Sequence, residues 1–459
     1  MRSHFSTAAC LFALISIPYT HELDLDVSNS ESVKTAAKAI AQNLLGYYDG
    51  SQPGQAPGLF GQSGTELYWW QSGAAWGSLI NYWNYTGDVQ YNDIVSQGLL
   101  AQIGPNHDYM PPNQTQTEGN DDQGFWALAT MTAAELHFPL PSTAQNTTWL
   151  DLAKNVFDLQ ASRWDSEHCG GGLRWQIFTF NRGYDFKNAI TTGVFFQLAA
   201  RLAQLTGNQT YSDWAGRSYD WLNSSGLLTS DFKVYDGTFV QTKCSDTSKL
   251  QWTYNAADLV YGSAVMYNIT NGSSQWKDRV QGLLSALSVF TKKQNIIQEV
   301  ACEPQGTCNY DQFSYKGIAA QWLGSTMQVA PFTSDTITPI LQASAKGAAA
   351  SCSGGDNKTS CGSDWTVAKH NQKTGFGQEL SALNVIVANL AANSPAPSNA
   401  NSTTSASNSG GSNSTSPSGS PTPSASPSAE PSNTSSKMFP IQGMLPYALL
   451  LVGVSFLMM

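Results

Sequence analysis

Between Ser30 and Ala392 the chain shows almost no polar/apolar alternation at a period of two. It shows instead apolar stretches long enough for helices, separated alternately by short and long connections. The short connections resemble one another. Tyr85-Thr86-Gly87-Asp88, Leu205-Thr206-Gly207-Asn208 and Ile269-Thr270-Asn271-Gly272 each end one apolar run, and Tyr91, Tyr211 or Trp276 opens the next. Pro-containing turns near Pro139 to Ser142 and Pro331 to Ser334 fill the gaps. The pattern returns roughly every 55–65 residues, a spacing that marks repeated supersecondary units. Units of this kind cannot bury their apolar faces alone and must stack on one another.

The segments group into six pairs. The first member of each pair lies near 32–45, 90–103, 148–163, 211–222, 275–292 and 334–349. The second lies near 67–85, 122–137, 188–205, 255–267, 312–323 and 377–391. The second members read as more apolar, so they belong inside. Six helical hairpins closed into a ring make an all-α (α/α)6 barrel, expected here over residues 21–393. Every connection inside a pair is long, and in such a ring all six lie at one end, the usual address of function. Cys169, Cys244, Cys302, Cys308, Cys352 and Cys361 all fall in these loops. Six cysteines admit 15 pairings. The loop positions favour Cys302–Cys308 and Cys352–Cys361 within single loops, and Cys169–Cys244 between neighbouring ones.

Only 12% of the 459 residues are charged, whereas Trp, Tyr and Phe number 14, 18 and 19. Amides, hydroxyls and aromatic rings therefore carry the polar chemistry, a mix suited to neutral, hydroxyl-rich ligands such as sugars. It also suits a secreted glycoprotein that needs little surface charge. The net charge of −10 without a basic block argues against nucleic acid. Residues 1–20 read as a signal peptide, with Arg2 and His4 ahead of the apolar run Ala8 to Ile17, and Cys10 leaves with it. Secretion makes the remaining cysteines disulfide candidates. Sequons at Asn84, Asn113, Asn146, Asn208, Asn223, Asn268, Asn271 and Asn357 are dense enough to imply N-glycosylation. Residues 394–436 collapse to Ser, Thr, Pro, Asn, Gly and Ala, the composition of a disordered stalk. Residues 437–459 then read as a GPI-anchor signal, removed on maturation, with attachment expected at Asn433. A short transmembrane anchor fits less well, because the final apolar run is short and nothing basic follows it.

The mouth of the barrel should collect the N-termini of the inner helices. Gly119-Asn120-Asp121-Asp122-Gln123-Gly124-Phe125-Trp126 is the segment with the most chemistry. Asp and Asn favour helix starts over interiors, which places Asn120 to Asp122 at a loop-to-helix junction. There the backbone can turn both carboxyls into one cleft. Glycoside hydrolysis needs such a pair, one protonated and one ionised. Repulsion between the neighbours pushes their pKa values apart. For an isolated Asp-Asp pair, a capping Asp with a solvated neighbour is the commoner outcome; the chain context reverses that. Trp69, Trp70, Asn120, Gln123, Lys187, Asn188, Tyr254 and Asn255 are the candidate substrate contacts. For the Trp pair core packing is an equal alternative, and for Lys187-Asn188 and Tyr254-Asn255 ordinary N-capping is the stronger one. His107 and His168 lie in mouth-side loops without metal-ligand spacing, so no metal or cofactor is expected.

Met110-Pro111-Pro112-Asn113-Gln114-Thr115, followed by the segment from Gly119 to Trp126, resembles the signature of glycoside hydrolase family 76. Tyr68-Trp69-Trp70-Gln71-Ser72-Gly73 and Lys187-Asn188-Ala189-Ile190 also look like segments of that family, and the resemblance runs from Glu22 to Ala392. It implies an (α/α)6 barrel acting on α-1,6-linked mannose with retention, with Asp121 as nucleophile and Asp122 as general acid/base. Its fungal GPI-anchored branch further implies work on mannose of GPI glycans, transfer to cell-wall glucan, and a monomer at the outer face of the plasma membrane and in the wall. The Asn113 sequon departs from that pattern, since a glycan there would crowd the cleft. Two rival readings remain at this level: a glycan-binding, wall-organising protein on the same scaffold, and an inverting glycosidase, whose carboxyls would stand further apart.

Overall fold

Among the described residues of the computed structural model, twelve α-helices follow one another. They are α1 (Ser30–Leu45), α2 (Trp69–Thr86), α3 (Asn92–Ala101), α4 (Asn120–Glu135), α5 (Trp149–Ser162) and α6 (Ala189–Thr206), then α7 (Gln209–Ser224), α8 (Thr253–Ile269), α9 (Ser274–Ala286), α10 (Tyr315–Val329), α11 (Ser334–Ser351) and α12 (Phe376–Val387). The structure describes residues 23–399 apart from 65–66, 115, 145–146 and 357. The expected signal peptide, most of the stalk, the anchor signal with Asn433, and the sequons at Asn146 and Asn357 lie outside the described residues.

The even-numbered helices are buried around most of their circumference; in α6 only Leu205 and Thr206 escape full burial. A helix without a solvent face must sit inside. These six form a closed ring: α2 packs on α4, then α6, α8, α10 and α12 in turn, and α12 returns to α2. The odd-numbered helices bury one stripe each; α1 buries Val33, Ala36, Ala37, Ile40, Ala41 and Leu44, the 3–4 spacing of an amphipathic outer helix. The barrel is the expected (α/α)6 architecture. One detail differs. Helices α5, α7 and α9 pack mainly on the inner helix that precedes them, across the short connection, and α1 packs mainly on α12. Gly87 and Gly207 end α2 and α6 at φ 76° and 70°, which reverses the chain within a few residues and holds those neighbours close.

The long loops at the opposite end carry a feature the sequence did not predict. Strands β1 (Phe186–Asn188), β2 (Gly237–Phe239) and β3 (Thr247–Ser248) form an antiparallel sheet, with Lys187 opposite Thr238. Disulfide Cys169–Cys244 ties the same two loops together, while Cys302–Cys308 and Cys352–Cys361 close single loops. Loop-rich walls fixed by cross-links and a sheet are stiff enough to hold a site.

At the far pole the inner helices end. Arg201 forms a bidentate pair with Glu135 (3.0 and 2.7 Å), and its guanidinium also donates to Thr132 Oγ1 at 2.7 Å, all buried. The chain after α12 crosses this pole. Gln328 Nε2 donates to the Pro395 carbonyl at 2.9 Å, the Ser398 amide donates to the Glu135 carbonyl at 3.3 Å, Ser398 Oγ lies 2.9 Å from His137 Nε2, and Pro397 is buried. Among the sequons, Asn113, Asn208, Asn223, Asn268 and Asn271 are exposed and Asn84 is half-buried. Asn84 sits in α2 with its amide nitrogen buried, and Asn268 spends its amide on the Val329 carbonyl at 3.1 Å.

Candidate active site

All six inner helices point their N-termini at the loop-bearing pole, and partial positive charge gathers there. Gly119 is the N-cap of α4, so Asn120, Asp121 and Asp122 occupy its first turn, one step further into the helix than expected. The two carboxyls diverge as neighbours in a helix must. Both nevertheless reach the same space. Asp122 folds back, its Oδ2 accepting the Gly119 amide at 2.7 Å. Asp121 leans toward α6, its Oδ1 accepting the Asp122 amide at 3.0 Å and its carboxyl meeting Asn188. A Cβ placed on Gly119 would lie 2.4 Å from Asp121 Oδ1 and 3.2 Å from Asp122 Oδ2. Those two oxygens can be no further apart than the sum of these distances. That falls short of the roughly 6.5–9.5 Å an inverting pair needs for its water.

The pair opens into a cleft of about 530 Å³. Phe125 lies among the aromatic residues of the cleft, stacked on Trp322 (6.1 Å) and Tyr254 (6.5 Å) and tilted against Trp70 (4.6 Å), and Tyr254 stacks on Tyr315 at 3.8 Å. Asp236 and Asp311 add two further carboxyls, and no lysine or arginine lines the cleft among the described residues. Asp311 accepts the Tyr315 hydroxyl at 2.5 Å, while Asp236 accepts Ser248 Oγ and Trp252 Nε1, both at 3.2 Å. Burial raises every one of these acids. Asp311 reaches about 6 and Asp121 about 7, held back by the Asp122 amide and Asn188. Asp122 is raised further, because the Asp121 charge stands beside it. Of the two, Asp122 is the harder to ionise and Asp121 the first to give up its proton.

Of the candidate substrate contacts, Trp70, Asn188 and Tyr254 line the cleft. The others do not. Trp69 turns to the outer layer, stacking on Trp126 at 5.0 Å and donating to Gln102 Oε1 at 3.0 Å. Asn120 and Gln123 are buried, and their side-chain oxygens accept Arg163 Nη1 at 2.9 and 2.8 Å. They fasten the first turn of α4 to its neighbours. Lys187 is fully buried, with Nζ on the His168 and Gly171 carbonyls (2.8 and 2.5 Å) and 3.2 Å from Asp165 Oδ2, so it pins the Cys169 loop. Asn255 is buried inside the ring. Sequence reasoning missed Asp236, Asp311, Trp175 and Gln176 in the cleft. Asp311 had a usable signal, since it precedes an inner helix much as the α4 pair opens one.

Two predictions arise from this geometry. Gly119 has φ −87°, which any residue adopts, so Gly119→Ala acts through its methyl group alone. That methyl displaces Asp121 Oδ1, and kcat/KM is expected to fall about 100-fold with little change in Tm. Steady-state kinetics beside a thermal melt checks it. The second concerns pH. Burial raises Glu118 to about 9, Glu299 to about 8 and Glu379 to about 7, with Asp258 also raised. The folded state then holds more protons than the unfolded state between the ordinary carboxyl range near pH 4 and these values, so stability falls as pH rises. For the three glutamates the contribution is complete below about pH 4 and gone above about 9. Tm is expected to be several degrees lower at pH 8.5 than at pH 5.5; a Tm that rises over that interval refutes the prediction.

The profile of glycosyl hydrolase family 76 matches residues 32–401. A mannan endo-1,6-alpha-mannosidase DCW1 of Candida glabrata is 44% identical over 379 residues, covering 82% of this chain and 84% of that one. The crystal structure of Dfg5 from Chaetomium thermophilum in complex with glucosamine superposes with a TM-score of 0.78 at 38% identity, covering 82% of this chain and 94% of that one. An inactive variant of the α-1,6-mannanase GH76A of Salegentibacter sp. HEL1_6, bound to α-1,6-mannotriose, superposes with a TM-score of 0.63 at 14% identity, covering 78% and 99%. That last likeness is one of fold.

Proposed function

The chain belongs to glycosyl hydrolase family 76, and we propose that it cleaves α-1,6-linked mannose with retention of configuration through Asp121 and Asp122. The observation that carries this is the juxtaposition of two buried carboxyls at the start of α4, both opening into one cleft and too close for an inverting mechanism. Asp121 attacks the anomeric carbon while Asp122 gives its proton to the departing glycosidic oxygen. The products of this step are a mannosyl ester on Asp121 and an ionised Asp122. Asp122 then takes a proton from the incoming hydroxyl, which displaces Asp121 and restores both acids. Water as acceptor gives hydrolysis; a sugar hydroxyl gives transfer.

The fungal relatives named mannan endo-1,6-alpha-mannosidase support a mannan donor and a cell-wall role, and a GPI-core donor is part of the same proposal. Cell-wall glucan as acceptor follows from the same reading, as does attachment to the outer membrane face through the C-terminal segment. Trapping with a fluorinated mannosyl reagent tests the assignment: the expected label is on Asp121, and a label on any other residue removes it from the nucleophile's role. Product analysis with a GPI-core mannoside, with and without a β-glucan acceptor, separates hydrolysis from transfer.

A further inference from the structure

Among the described residues that line the cleft, the aromatic side chains Trp175 and Tyr68 keep 36% and 48% of their surface exposed, whereas Trp70, Phe125, Tyr254 and Tyr315 are buried. Tyr68 is set against Tyr310, with ring centroids 5.2 Å apart, while Trp175 is tied to the start of α4. Its position is fixed from both sides of its backbone. The Trp175 carbonyl accepts the Asn120 amide at 2.8 Å, and the Trp175 amide donates to the Phe186 carbonyl at 2.7 Å. The residue is thus bonded directly to the first turn of the helix that carries Asp121. The ring is cradled as well. Gly183, at φ 99°, lies against the six-membered half of the indole, where a Cβ would come within 2.4 Å of it, and Phe186 meets the ring edge-on at 6.4 Å. A glycine at positive φ under an exposed indole, bonded to the catalytic helix, is a supported aromatic surface aimed at the cleft.

We propose that Trp175 is the platform for a pyranose ring adjoining the one that reacts. The reacting ring must sit deep, over Phe125 and against Asp121, which is only 8% exposed. A rim position half in solvent suits the next ring along, whose apolar face of C–H bonds stacks on the indole while its hydroxyls stay wet. That ring has two possible sources, the donor chain or the acceptor glycan. The inference rests on the glycosidase reading of the Asp121–Asp122 cleft.

The test uses the inactive Asp121→Asn enzyme, in which binding is measured without turnover, and two probes, α-1,6-mannotriose and the β-1,3-glucan trisaccharide. Adding Trp175→Ala is expected to weaken one of them about tenfold, and Trp175→Phe less than threefold. Loss confined to mannotriose assigns the platform to the donor; loss confined to the glucan assigns it to the acceptor. Unchanged affinity for both overturns the proposal. A merely structural role is excluded by a second reading in the enzyme that keeps Asp121. There a monosaccharide trapping reagent is expected to label Asp121 less than threefold more slowly in Trp175→Ala, and a tenfold slowing also overturns it. Failure of the wild type to cleave any α-1,6-mannoside would sink the glycosidase reading instead, leaving the binding comparison to judge Trp175 by itself.

Discussion

Asp121→Asn is expected to lower kcat/KM on α-1,6-mannoside by about 10⁴-fold or more, with the fold intact. The amide keeps the size and the hydrogen bond from the Asp122 backbone but cannot form the glycosyl ester. Asp122→Asn should cost about 10²–10⁴-fold on natural substrate and much less on an aryl mannoside, whose leaving group needs no proton. That contrast separates the two roles. Equal sensitivity of both variants to leaving-group acidity would contradict them. The wild-type profile carries the same logic. In the proposed mechanism activity needs Asp121 ionised and Asp122 protonated, and burial raises both. The acid limb of kcat/KM, where Asp121 takes up a proton, should therefore lie above the usual carboxylate range, with the alkaline limb of Asp122 higher still. An acid limb near pH 4 would refute this electrostatic account.

The second large effect is on stability. Glu135→Ala is expected to cost about 3–5 kcal/mol, because it leaves the Arg201 guanidinium buried without its bidentate partner. Arg201→Met on the same background should recover much of the loss, since the remaining charge is then removed too. Denaturant midpoints of the wild type and the two variants measure it. A loss below about 1 kcal/mol in the single variant would mean that water reaches Arg201 and replaces Glu135.

The architecture was legible because burial writes itself into sequence at helical spacing. The stripe in α1 and the all-round burial of α6 are different patterns, and alternating them six times leaves few ways to close a ring. Asp121 and Asp122 were legible because adjacent acids opening an apolar helix have no use in a core. The all-round burial that revealed the inner helices also hid which polar residues face the cleft. Asn120 and Gln123 turned to Arg163, whereas Asn188 turned to the cleft; periodicity cannot separate such cases in a helix with no solvent side. The sheet escaped notice because strands of two and three residues are too short to show alternation. Asp236 and Trp175 sit on irregular loops, where only three-dimensional closure brings them to the acids.

The last described residues leave the barrel beside Glu135 and His137, at the pole away from the catalytic helix start. Within residues 23–399 the exit of the chain and the mouth of the cleft thus lie at opposite ends of the barrel, so a contact made at the exit leaves the approach to Asp121 and Asp122 clear.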